Sequence, residues 1–157
     1  MWLVSKDGTR LVVYPQALHE HLLRFCASAT EETGGILVGR PRSDGGFQLT
    51  RALPPPLDSR HGRHTFRRGT RGALRALDHL WERGELYAGE WHLHPNSATT
   101  ASPTDTRTMR IFAHDALLDC PHPILLILGS GAQFSLYKFY DNRLHKLELD
   151  YGPDEPL

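Results

Sequence analysis

Apolar residues in this chain alternate between two periods, and the alternation marks out the elements. Arg10 to Tyr14 reads as a short strand, and Pro15 opens a helix to about Ser28 with Leu18, Leu22 and Phe25 on one face. Gly34 to Arg40 and Phe47 to Leu53 read as a hairpin across Pro41–Gly46, whose polar, glycine-rich makeup is a turn signal. Ala73, Leu74, Leu77, Leu80 and Trp81 pattern a helix from about Gly69 to Glu82. Leu86 to Leu93 reads as a strand ended by Pro95. A helix then starts at Ser102 with Asp105, Met109, Phe112 and Ala116 along one face. Pro123 to Leu128 is expected as a buried strand. Gln133 to Tyr140 and Arg143 to Leu149 are expected as a terminal hairpin turning at Asp141-Asn142. Strands and helices in this alternation predict an α/β sandwich, a central mixed sheet flanked by helices.

Composition narrows the picture only a little. The chain has 157 residues, 39% of them apolar and 23% charged, which suits one domain over residues 1–150 with a frayed tail at 151–157. The formal net charge is zero, so nothing in the totals points to nucleic acid or to an anionic membrane. No apolar run reaches transmembrane length, and Met1-Trp2-Leu3-Val4 lacks the basic start and apolar core of a signal peptide. The expected location is the cytoplasm, with Cys26 and Cys120 as reduced thiols.

Candidate chemistry is concentrated in Trp91-His92-Leu93-His94-Pro95 and Ser102-Pro103-Thr104-Asp105. Residues i and i+2 on a strand project from one face, so the imidazoles of His92 and His94 reach the same point. Asp105 is the candidate third ligand. Ser102 is a favoured N-cap and Pro103 fits the first helical position. Asp105 then falls where a carboxylate can close a capping box or, facing the core stripe, bind a metal. Three protein ligands and one open position define a hydrolytic zinc centre. A general base is sought in Glu31-Glu32, which open the apolar, glycine-bounded run Thr33–Gly39. Adjacent residues there point to opposite faces.

Together Glu32-x-x-Gly35-Ile36-Leu37-x-Gly39 and His92-x-His94-Pro95-x6-Ser102-x2-Asp105 resemble the JAMM/MPN metalloprotease family, including its prokaryotic JAB branch. The motifs span Glu32 to Asp105. The resemblance implies a cytidine-deaminase-like α/β sandwich, with His92, His94 and Asp105 holding one Zn2+ and Glu32 as catalytic acid/base. Ser102 would hydrogen-bond the water or the oxyanion. It further implies an isopeptidase or peptidase that cuts after the C-terminus of a ubiquitin-like protein. The Gly-Glu-Trp-His-x-His-Pro form looks most like bacterial stand-alone JAB proteins of antiphage operons with E1- and E2-like partners. Alternatives are a JAB peptidase trimming a sulfur-carrier protein, a non-catalytic MPN scaffold, and a small-amide zinc hydrolase.

Three features stand outside the motif. Glu90 shares the strand face of His92 and His94, and is open to two readings: an acceptor for a ligand's second N–H, or the partner of an arginine away from the metal. Leu53 to His64 is a long proline- and arginine-rich loop, where the resemblance implies a substrate-contacting flap. Arg60, Arg63, Arg67, Arg68, Arg71 and Arg75 form the one local charge bias, either a solvated face or a docking surface for an acidic partner. His114, Cys120 and His122 match no defensible metal spacing.

Overall fold

The apolar runs become the central strands. A computed structural model of the chain describes residues 2–5 and 9–150. Its elements are β1 (Trp2–Val4), β2 (Arg10–Val13), α1 (Gln16–Cys26), β3 (Thr33–Pro41), β4 (Phe47–Ala52), β5 (Arg60–His61), β6 (Phe66–Arg67) and α2 (Ala73–Trp81). After these come β7 (Leu86–Leu93), α3 (Pro103–Ala113), β8 (Ile124–Leu128), β9 (Phe134–Tyr140), β10 (Arg143–Lys146) and β11 (Glu148–Asp150). Nine strands form one mixed sheet in the order β10-β9-β8-β7-β3-β4-β2-β1-β11, and β5 pairs with β6 apart from it. Among the described residues, β7–β8 and β2–β4 are the parallel pairs.

Helices cover both faces of this sheet, which is why its central strands read as apolar runs. Leu18 and Leu22 of α1 pack with Leu37, Leu49, Trp91 and Leu126 on one face. On the other, Leu77 and Leu80 of α2 pack on Ile36, Val38 and Tyr87, and Met109 of α3 packs on Leu125 and Ile127. Neighbours such as Leu125 and Leu126 thus face opposite layers, as the two-residue strand period requires. Among the described residues, no helix is long and apolar enough to cross a membrane.

The α/β sandwich with its mixed sheet is as expected, with local differences. The segment Arg143–Leu149 is not one arm of a hairpin. It splits at Leu147: β10 pairs with β9, and β11 crosses to pair with β1. One residue separates the two ends of the strand order, so the sheet curls on itself. The Leu53–His64 loop carries β5 near its end, and β6 just beyond it closes a two-stranded hairpin. The second helix begins at Ala73 because residues before it form a turn, whose Thr70 and Arg71 N–H groups donate to the Asp58 carboxylate at 3.1 and 2.9 Å. The third helix ends at Ala113, so Ala116 lies beyond its stripe. Phe25, Leu74 and Trp81, expected on core faces, are exposed. The tail at 151–157 lies outside the described residues.

Candidate metal centre

His92 closes β7 with Leu93, and His94 follows it, still tied to the sheet by its N–H to the Leu128 carbonyl at 2.8 Å. Ser102 caps α3 and Asp105 occupies the third helical position. The serine Oγ accepts from the Asp105 N–H at 3.1 Å, and Asp105 Oδ2 accepts from the Ser102 N–H at 2.7 Å. Ser102 Oγ also donates to Oδ2 at 2.8 Å. The capping box occupies one carboxylate oxygen and turns the other toward the strand, so capping and ligation are compatible. Asp105 Oδ1 lies 3.2 Å from His92 Nδ1.

One ligand atom from each of His92, His94 and Asp105 lies within 4.8 Å of the others. His92 and Asp105 are buried and His94 is half-buried, so one side is open. Ligands ~2.0–2.2 Å from a shared zinc at tetrahedral angles lie ~3.3 Å apart, close to the His92–Asp105 spacing. His94 Nδ1 lies 3.3 Å from the Ala98 carbonyl. A proton on that nitrogen leaves Nε2 as the ligating atom. Burial opposes charge on Asp105, but hydrogen bonds from His92 and Ser102 outweigh it and hold the carboxyl down at about 2. Two imidazoles and an ionised carboxylate are a donor set that suits zinc. His114, Cys120 and His122 form no such group among the described residues.

Glu32 stands immediately before β3, half-buried, while Glu31 is exposed. The β3–β7 register pairs Thr33 with Leu93 and Gly34 with His92. Glu32 is the residue just before the first pair of this register. The β5–β6 hairpin grips the Glu32 main chain: its N–H donates to the Gly62 carbonyl at 2.8 Å, and its carbonyl lies 3.2 Å from His61 Nδ1. Phe66 meets His92 edge-on, ring centroids 5.7 Å apart. Glycine at position 34 makes room for this. A Cβ there would collide with the Trp91 carbonyl, the Phe66 ring and the His92 ring.

Glu90 is fully buried and does not touch a ligand's second nitrogen. It pairs with an arginine, Arg68, with Nε 2.7 Å from Oε2 and only 7% of the arginine side chain exposed. Tyr87 donates to its other oxygen at 2.8 Å. The close ionic atoms are not aligned as a hydrogen bond, so charge and proximity hold the pair. Burial pushes the Glu90 carboxyl up to about 7, against the pull of Arg68 and Tyr87. The guanidinium also lies 4.6 Å over the Phe112 ring of α3. The basic stretch is therefore not uniform: Arg60, Arg63, Arg67, Arg71 and Arg75 are exposed, and Arg68 is part of the interior. Nothing in the local pattern distinguishes Arg68 from its neighbours, so sequence reasoning missed it.

Sequence reasoning also missed a tyrosine at the opposite lip of the site. Tyr137 on β9 accepts from the Ala101 N–H at 3.2 Å and donates to the Thr99 carbonyl at 3.0 Å. The Thr99 and Ser135 hydroxyls lie 2.7 Å apart. These bonds fix the segment between His94 and Ser102. A tyrosine within an apolar strand gives no sign of this role.

The chain's relatives bear on what such a site does. Residues 15–140 match the family model described as prokaryotic homologs of the JAB domain. A "CD-NTase/cGAS isopeptidase" of Enterobacter hormaechei subsp. hoffmannii is 37% identical over 127 residues, 80% of this chain and 71% of that protein. Another of the same name, from Vibrio cholerae serotype O1, is 31% identical over 126 residues, 77% and 70% of the two chains. A "Probable metalloprotease y4qB" of Sinorhizobium fredii is 23% identical over 138 residues, 79% of each. The solution structure of a Desulfitobacterium hafniense protein superposes with a TM-score of 0.64 at 20% identity, covering 87% of this chain and 89% of that one. Its likeness bears on the fold alone. Fold, sequence and relatives converge, and the chain belongs to the prokaryotic JAB family of metalloprotease-type hydrolases.

Proposed function

We propose that this chain is a zinc-dependent isopeptidase or peptidase cutting after the C-terminus of a ubiquitin-like protein, with one catalytic domain over residues 1–150. The observation that carries the reading is the convergence of His92, His94 and Asp105 within 4.8 Å on the open end of β7. These three would hold the ion. When bound, zinc would supply a Lewis acid that activates water and polarises a carbonyl. Glu32 accepts the water proton and returns it to the leaving amine. Ser102 steadies the developing oxyanion. Its hydroxyl donates to Asp105 as the site stands, so that step requires the hydroxyl to turn. The relatives' isopeptidase names support the bond type. The setting we propose is a bacterial antiphage conjugation operon with E1- and E2-like partners in the cytoplasm.

The exposed arginines support a protein-sized substrate. Arg60 and Arg67 face each other across β5–β6, and alternation puts them on the face opposite His61 and Phe66. That outer face suits an acidic surface of the substrate.

Glu32→Gln tests the assignment because it keeps shape and removes the base. It should bind about one zinc per chain while cleavage falls at least ~100-fold. Near-normal turnover in that variant, with Glu31→Gln inactive instead, means the neighbouring glutamate is the base. Undiminished zinc in His92→Ala/His94→Ala removes the metal assignment altogether.

A further inference from the structure

The β5–β6 flap has only two residues in each strand, and an isolated two-stranded hairpin is marginal in water. It still holds both main-chain groups of Glu32. Its position must therefore come from what pins it. The Gly62 N–H to Thr65 carbonyl bond at 2.8 Å closes the hairpin but fixes it to nothing else. Phe66 rests against His92. Immediately after β6 the chain enters the interior at Arg68, whose guanidinium meets Glu90 of β7 and the ring of Phe112 on α3, and whose Nη1 donates to the Gly69 carbonyl at 2.9 Å. One side chain thus touches the strand that carries His92 and the helix that carries Asp105.

A buried ion pair is a poor way to add stability, since desolvation offsets most of its attraction. An apolar replacement of equal volume is often as good. In some proteins such a pair instead fixes one geometry among several, and here its two ends lie on different elements.

We infer that Arg68 is a positioning residue for the proposed reaction: its pairing with Glu90 pins the flap to the metal-binding strand, and the flap fixes the main chain of Glu32. The catalytic meaning rests on Glu32 being the base. The geometric claim does not, so the two can fail separately.

Amide hydrogen exchange on the whole protein tests it. Arg68→Met/Glu90→Gln removes both charges together and leaves no unpaired buried ion. In this variant the Glu32 amide should exchange roughly 10-fold faster through local opening, with β8 amides at Leu125–Ile127 unchanged. Arg68→Lys, which keeps the charge for Glu90, should restore much of the protection. Glu90→Gln alone keeps shape and the Tyr87 contact, and serves if the double variant does not fold. It leaves the buried Arg68 beside a neutral amide and should show the same local pattern at equal or larger amplitude. Native protection of Glu32 in a folded variant lacking the pair overturns the inference. So does loosening of β8 and Glu32 together, because that marks a purely structural role.

Discussion

Arg67 and Arg68 are adjacent and chemically identical, yet they belong to different parts of the molecule. Arg67 lies on β6 opposite Arg60, exposed, with no carboxylate of the described residues at ion-pair distance. Arg68 is interior, against a carboxylate with no exposed surface. Where the chain leaves the flap, one step in sequence takes a guanidinium from water to the protein interior. In water a lone arginine costs nothing and is free to meet a partner. Inside, it must be paired, and its partner is then equally dependent on it. A run of basic residues is therefore not one surface, and reversing charge across the run mixes two unrelated effects.

The largest expected difference is in stability. Arg68→Met lets Glu90, already pushed up to about 7 by burial, take up a proton and lose its partner, and should lower unfolding free energy by ~1–3 kcal/mol. Arg67→Met should change it by less than ~0.5 kcal/mol. Urea denaturation of the pair of variants checks this, and equal losses would erase the distinction between the two arginines.

A smaller effect is expected at the other lip of the site, where the anchor is neutral. Tyr137→Phe removes the phenol that bridges Ala101 and Thr99. It should cost ~0.5–1.5 kcal/mol, the net worth of ordinary hydrogen bonds, because Ala101 and Thr99 are only half-buried. Denaturation measured beside Arg68→Met ranks the two anchors. A larger loss from Tyr137→Phe would make the uncharged lip the more demanding one.

The smallest effect on stability belongs to the flap's outer face. Arg60→Gln/Arg67→Gln relieves a cross-strand pair of like charges and should leave stability unchanged or raise it by ~0.2–1 kcal/mol. The same variant should raise KM for a protein conjugate with kcat unaltered, the pattern of lost uniform binding. Steady-state kinetics at low and high salt separate this from a merely solvated face, for which neither constant moves.

Much of the candidate site was legible because its information is local. The His-x-His spacing on a strand, the capping residues at Ser102 and Asp105, and the glutamate ahead of a glycine-rich run are each confined to a few residues. Backbone geometry converts such spacings into directions. The central strands were legible for a similar reason: a sheet covered on both faces selects continuous apolar runs. The outcome at Glu90 was different. Its strand face was plain from alternation, but whether it met a ligand or an arginine depended on a residue 22 positions away in the Arg68–Glu90 pair.

By itself, then, the sequence determined the element order, the α/β class, the residues that converge at the end of β7, and the family. Each of these follows from short-range periodicity, capping or motif spacing. Only the tertiary structure decided that β11 parts from β10 to pair with β1 and curls the sheet, and that the flap is a two-stranded hairpin bonded to the main chain of Glu32. It alone separated Arg68 from the five exposed arginines around it. The physical reason is common to all three. Strand pairing and ion pairing are chosen by what lies nearby in space, and side chains that look alike along the chain are told apart only by burial and by the partner that burial demands.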